Sequence, residues 1–209
     1  MGEDELRAAV AAERREQAAL LAALEPEQWD APTLCDGWRV REVVAHTTMP
    51  FRTSVGRVVL ELVRARGSVN RMADRCARRD AGRLSPADLV AALADNAEHP
   101  WTPPGGGLAG ALSHDVIHGL DIIVGLGMDR RVSPDRVAAV LAGMSPRSIG
   151  FFGADLAGVQ LQATDLDWRF GTGTPLRGLA QDLLLVVCGR RLPAGRLAGA
   201  DAHRFTRRP

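Results

Sequence analysis

The chain contains no lysine and no tyrosine; all 26 of its basic side chains are arginines. A lysine Schiff base and a tyrosine general acid are therefore excluded. Cysteine is scarce, with Cys35, Cys76 and Cys188 far apart and odd in number. That pattern suits a reducing compartment better than a disulfide framework, and without a CxxC pair no cysteine-based zinc site is expected. No run of about 18 apolar residues is present to span a bilayer. Residues 1–6 open on acids, unlike the basic and apolar stretches of a signal peptide, so a cytoplasmic location is expected. Net charge is missing too: 25 acidic residues leave a balance of +1. A nucleic-acid binder held by phosphate contacts carries a basic face and a domain pI above about 9, so that class is set aside. Of the 209 residues, 46% are hydrophobic, enough for one sizeable core or two small ones.

Apolar residues at helical spacing over 3–24, with Pro26 beyond, predict one long amphipathic helix. A turn-rich stretch over 30–37 precedes a second helix that includes Val40, Val43, Val44 and 54–66, broken or kinked near Pro50. The arginine-rich 68–82 segment reads as a solvated helix or loop. Ser85-Pro86 with Asp88 caps a short third helix over 89–97. Pro103, Pro104 and three glycines make the clearest internal break, after which 108–126 reads as a fourth helix closed by Gly127. Ser133-Pro134-Asp135 starts another. From Val159 the period changes to two, predicting a strand with 167–170 as its hairpin partner, before helical spacing returns over 175–188. The expected architecture is mainly α, a helical unit over 1–130 followed by a small α+β unit over 131–209.

The chemistry concentrates in the fourth helix. His114 and His118 are four residues apart, so both imidazoles project from one face within reach of one ion. Asp121, three residues on, lies on the same side, placed to orient an imidazole or to join the coordination sphere. A third ligand must come from another element. His46 continues the apolar side of Val40, Val43 and Val44 and would face inward. Three histidine ligands leave positions open for water or substrate, as in a catalytic site.

Three segments together resemble the actinobacterial mycothiol-dependent maleylpyruvate isomerase family, within the DinB-like metalloproteins. They are Cys35-Asp36-Gly37-Trp38 through Val43-Val44-Ala45-His46, His114-Asp115-Val116-Ile117-His118-Gly119-Leu120-Asp121-Ile122, and the stretch from Leu161 to Gly189-Arg190. The resemblance implies a DinB-like four-helix bundle carrying a divalent metal, usually zinc, on His46, His114 and His118. Isomerase-type members commonly have Glu where this chain has His114, while other DinB-like proteins use three histidines. A neutral ligand in place of a carboxylate leaves the metal more positive. The resemblance also implies mycothiol as a thiol cofactor, with isomerisation of, or S-transfer to, a small electrophile. Arg190, matching a Gly-Arg near the end of the family's C-terminal unit, is a candidate contact for a carboxylate of thiol or substrate.

Other residues receive plainer readings. Cys35 is placed at the far end of the second helix from the metal, because eight residues of helix separate Trp38 from His46, roughly 12 Å at about 1.5 Å per residue. Cys188 is expected to be buried, Cys76 to be acidified by its arginines if exposed, and His99 and His203 to lie on the surface. Gly171, Gly173 and Gly178 fit a strand-ending turn better than a phosphate loop. The alternative to an enzyme is a non-catalytic metal-binding scaffold, and a homodimer is left open.

Overall fold

Helix α1 (Glu3–Ala22) begins on an acidic first turn that complements the helix dipole. The Glu5 carboxylate there accepts the Gly2 backbone N–H at 2.7 Å. Its buried stripe includes Ala9, Val10, Ala18 and Leu21, and also Glu13, Arg14 and Gln17. The computed structural model describes residues 1–207. A short 3-10 turn, Pro26–Asp30, buries Trp29 and leads towards α2 (Val40–Arg52), which buries Val40, Val43 and Val44.

The break expected near Pro50 falls three residues beyond it. Helix α2 runs through the proline to Arg52, and α3 (Val55–Arg64) starts after Thr53 and Ser54. Proline withholds only the one N–H that would serve the His46 carbonyl, and side chains add bonds to the two carbonyls before it. Thr48 Oγ1 donates to the Val44 carbonyl at 2.7 Å and Arg52 Nη2 to the Ala45 carbonyl at 2.8 Å.

The arginine-rich segment is helix α4 (Val69–Ala81), and it is not solvated all round, since Met72, Cys76 and Ala77 are buried. Met72 and Cys76 form a small cluster with Ala65, flanked by Met49, Val58 and Leu62. Cys76 is buried, so the condition set for its acidification is not met: burial pushes its thiol pKa up, and the charges of its arginines only partly oppose it. Helix α5 (Pro86–Ala94) has the capping box anticipated from sequence, with Ser85 Oγ accepting the Asp88 N–H and the Asp88 carboxylate accepting the Ser85 N–H. Helix α6 (Gly107–Gly125) follows the Pro-Gly break.

Two compact units result, 1–118 and 119–209, with the boundary inside α6. In the first, α5 packs on α1 and α2, and α4 packs on α2. Helix α6 joins this core through Gln17 of α1, which donates to the Asp115 carbonyl at 2.7 Å. It also does so through the histidines described below, completing a four-helix core of α1, α2, α5 and α6.

In the second unit, α7 (Pro134–Ala142) and α8 (Pro146–Phe152) precede the sheet, α8 being an element the sequence reading missed. Strands β1 (Val159–Ala163), β2 (Arg169–Gly171), β3 (Thr174–Gly178) and β4 (Leu197–Ala198) lie in the order β2-β1-β3-β4. The expected hairpin is present, with Leu161 opposite Phe170. The helix expected over 175–188 is corrected: its first residues are β3, parallel to β1, and only Ala180–Val187 form helix α9. Every residue of α9 is buried. The chain is thus mainly α with a small α+β C-terminal unit.

Candidate metal centre

Helix α2 presents His46, and α6 presents His114 and His118 one turn apart. One ring nitrogen from each lies within 4.8 Å of the other two. Ring centroids form a near-equilateral triangle, 5.1 Å for His46–His114, 5.0 Å for His46–His118 and 4.9 Å for His114–His118. All three are half-buried. Trp38 covers His46 at 5.1 Å between centroids, and Trp101 covers His114 at 5.3 Å. The two indoles form apolar walls that limit water around the imidazoles.

The tautomer of His114 follows from its neighbour. His114 Nδ1 lies 3.1 Å from Asp115 Oδ1, and a carboxylate can only accept, so Nδ1 carries the proton and Nε2 is the nitrogen left to face His46. Asp115 is itself anchored by Arg14, whose Nε donates at 2.7 Å in a fully buried pair. Arg14 also donates to the His99 carbonyl at 2.8 Å and lies over the Phe51 ring. The histidines are thus backed by a chain of polar contacts running from α1 through Asp115 to His114.

Burial, then the neighbouring His118 and His114, push the pKa of His46 well below its ordinary value, which keeps the ring neutral. Its Nε2 lies 3.2 Å from His114 Nε2, while its buried Nδ1 has no partner among the described residues. Zn–N bonds of about 2.0–2.1 Å at a tetrahedral angle put two ligand nitrogens roughly 3.3 Å apart. The observed separation matches that edge, and three imidazoles are a donor set for zinc or a similar borderline ion. The residues present therefore fit a divalent metal.

The other residues singled out from sequence fall as follows. Asp121 is fully buried one turn beyond His118, and Arg190 holds its carboxylate bidentately, Nε to Oδ1 at 2.9 Å and Nη2 to Oδ2 at 2.8 Å. Cys188 is buried, its thiol pKa pushed up to about 12 mainly by burial. His203 is exposed as expected. His99 is half-buried instead of at the surface, packing against Phe51 at 5.1 Å and accepting the Trp101 N–H on Nδ1.

The distant placement of Cys35 is overturned, because its sulfur and a His118 ring nitrogen lie within 4.8 Å. The helix-length argument failed because α2 starts only at Val40, while 33–38 fold into a turn, with the Trp38 N–H bonded to the Cys35 carbonyl. Helical side chains also lean toward the N-terminus, bringing His46 back to meet that turn. The residues missed from sequence were Asp115 and Arg14. Their signal was present: Arg14 and Gln17 continue the 6, 10, 21 stripe of α1, so a charge lies on a core face and requires a partner.

A helical bundle with a three-histidine cluster on α2 and α6 defines a candidate metalloprotein, and comparison with known proteins narrows the class. Residues 10–100 match the family described as mycothiol maleylpyruvate isomerase N-terminal domain. The crystal structure of the mycothiol-dependent maleylpyruvate isomerase superposes with a TM-score of 0.63 at 13% identity, covering 97% of this chain and 94% of that one. A histidine-to-alanine mutant of that isomerase superposes with a TM-score of 0.61 at the same identity and coverage. No curated protein matches. Residues 10–100 are thus similar to the mycothiol maleylpyruvate isomerase N-terminal domain, and the chain has the fold of the solved isomerase, in agreement with the resemblance read from its motifs.

Proposed function

We propose that this protein is a divalent-metal-dependent enzyme that activates a low-molecular-weight thiol, mycothiol, for isomerisation of, or S-transfer to, a small electrophile. The observation that carries the reading is the convergence of the ring nitrogens of His46, His114 and His118 within 4.8 Å, on elements of a fold shared with a mycothiol-dependent isomerase. These three side chains would hold the ion, zinc by the chemistry of the donors. When bound, such an ion supplies Lewis acidity that lowers the pKa of a thiol and makes it a nucleophile at neutral pH.

The chain's own groups do the rest. Asp115, anchored by Arg14, fixes the His114 tautomer and aims its Nε2 lone pair. Trp38 and Trp101 restrict water at the imidazoles, which strengthens every charge interaction there. Asp121 and Arg190 are proposed as a pre-oriented pair, Asp121 fixing the guanidinium and Arg190 addressing a carboxylate of thiol or substrate.

Metal analysis with calorimetric titration of mycothiol tests this. About one divalent ion per chain is expected, with saturable mycothiol binding that His46→Ala and His118→Ala both abolish. Metal-free protein as purified from zinc-supplemented cells, with His118→Ala binding zinc as well as wild type, would sink the proposal. Maleylpyruvate is the first substrate to assay.

One observation favours a second reading. Cys35 lies within 4.8 Å of a His118 ring nitrogen, although outside the group that His118 forms with His46 and His114, and if it moved in as a fourth protein ligand it would saturate the ion and make it structural. Cobalt substitution separates the two. A sulfur-to-cobalt charge-transfer band that Cys35→Ser removes supports the scaffold, whereas a cobalt spectrum unchanged by Cys35→Ser and altered by mycothiol supports the enzyme.

A further inference from the structure

Helix α3 ends in a Schellman motif with an unexpected residue at its key position. The Arg66 N–H bonds the Val63 carbonyl and the Gly67 N–H bonds the Leu62 carbonyl, both at 2.9 Å. That pattern puts Arg66 immediately after the cap, where the backbone turns left-handed and glycine is the usual occupant. Arg66 has φ +53°, the one non-glycine residue at positive φ among the described residues, and Gly67 follows at +75°. A Cβ in this conformation crowds the following carbonyl. An arginine sits here against local preference, and residues held in such conformations cluster at functional positions.

The surroundings of Arg66 say what it does there. A cavity of about 620 Å³ opens at the α3–α4 corner, lined by Arg64, Arg66, Asn70, Arg71, Asp74 and Arg75. Small-molecule sites span roughly 300–1,000 Å³. Arg64 and Arg75 both donate to Glu61, a buried carboxylate that also accepts from Arg79. Asp74, the carboxylate lining the cavity, accepts from Trp38 Nε1 and Arg78 Nε, each at 2.8 Å. The guanidinium groups of Arg66 and Arg71 have no hydrogen-bond or ion-pair partner among the described residues. Four guanidiniums therefore face one carboxylate that is already engaged, and the N-terminus of the 13-residue helix α4 adds the positive end of its dipole. The cavity shares no lining residue with the histidine cluster.

We propose that the α3–α4 corner is a binding site for a phosphate-bearing di- or polyanion. Guanidinium forks match phosphate oxygens bidentately, and the charge facing the cavity exceeds what a single monoanion would neutralise. Two sources share that chemistry, a soluble phosphorylated molecule and a phospholipid headgroup. The second arises because Val55, Val59 and Val63 form an outward stripe on α3, 80%, 55% and 68% exposed.

Calorimetric titration of the full chain with inorganic pyrophosphate at low salt is the test. Saturable binding is expected, weakened at least about tenfold by Arg66→Gly and by Arg71→Ala, and unchanged by Arg15→Ala, which removes an exposed arginine on α1. Arg66→Gly removes the strain along with the charge, so its urea midpoint should equal or exceed that of wild type, which separates lost binding from lost folding. Sedimentation with phosphatidylcholine vesicles, with and without phosphatidylglycerol, assigns the source. Retention on the anionic vesicles that Val59→Asp abolishes, with pyrophosphate affinity intact, points to the headgroup, and no retention points to a soluble ligand; either result upholds the site. The proposal is overturned if wild type shows no saturable pyrophosphate binding, if Arg66→Gly or Arg71→Ala binds as tightly as wild type, or if Arg15→Ala weakens binding equally.

Discussion

Asp115 stands next to His114 in sequence and acts on it directly, holding Nδ1 while Arg14 holds the carboxylate. Outer partners of this kind typically account for about 10–100-fold in metal affinity. Asp115→Asn is accordingly expected to weaken zinc binding by about 10–100-fold in a chelator competition, and equal affinity would show that the contact does not orient the ring. Glu42 supports a prediction on pH. It caps α2 by accepting the Arg39 backbone N–H at 2.9 Å together with the Arg39 guanidinium. Burial works to raise its pKa, but the hydrogen bonds and charge of Arg39 override it, and the net position is below the ordinary carboxyl value. A group whose folded pKa is depressed contributes stability that is fully present above its unfolded value, about 4.3, and is lost as pH falls through the folded value. The urea midpoint of wild type should therefore fall below about pH 4.5 more steeply than that of Glu42→Gln; parallel acid limbs would contradict the assignment.

At the scale of elements, the turn before β3 has the tightest steric requirement. Gly173 has φ +129°, and a Cβ there would come within 2.1 Å of the Gly158 carbonyl oxygen, which also accepts the Thr174 N–H at 2.9 Å. Gly173→Ala must displace the start of the β1–β3 pairing, at a cost of roughly 2 kcal/mol or more in urea unfolding. Elements with complete local signals were legible from sequence. Helix α5 could be read from Ser85-Pro86 and Asp88, α6 from its break and its closing glycine, and β1 from the alternation of buried Val159 and Leu161 with two glutamines. Strand β3 was not, because Pro175 argues against a central strand. The proline is tolerated because β4 pairs only with Arg177 and Gly178, leaving β3 an edge at that point. The histidine cluster was legible because four-residue spacing on α6 fixes a face whatever the tertiary context. The burial of Arg14 is signalled by its place on the α1 stripe, but its partner and that of Cys35 were not legible, since they are set by a helix about a hundred residues away and by a turn.

For the whole molecule, an ion held by His46 and the α6 histidines would bind the folded chain and not the unfolded one, and so shift the folding equilibrium. At free metal about 100-fold above Kd the gain is about 2.7 kcal/mol, or roughly 5–10 °C in Tm for a chain of this size. Chelation is expected to lower Tm by that amount and added zinc to restore it, whereas His118→Ala should start near the chelated value and respond to neither. A Tm indifferent to chelator in wild type would count against a resident ion. The balance of +1 also hides its distribution. Averaged over the chain the charge rules out a phosphate-tracking surface, yet the arginines of one helical corner leave a local positive field that composition cannot reveal.

The Arg14–Asp115 pair also constrains the order in which the chain can be completed. Its two members are 101 residues apart, so on the ribosome α1 is finished long before its counter-charge exists. Until α6 emerges, an early docking of α1 onto α5 would bury a guanidinium without a carboxylate, which is strongly unfavourable. Full burial of Arg14 is therefore expected only once α6 is present, and a chain ending before Asp115 should show α1 amides exchanging faster than in the full chain. The histidine on α2 meets its partners on the same late segment, so closure of the bundle and assembly of the candidate metal centre depend on one stretch of chain.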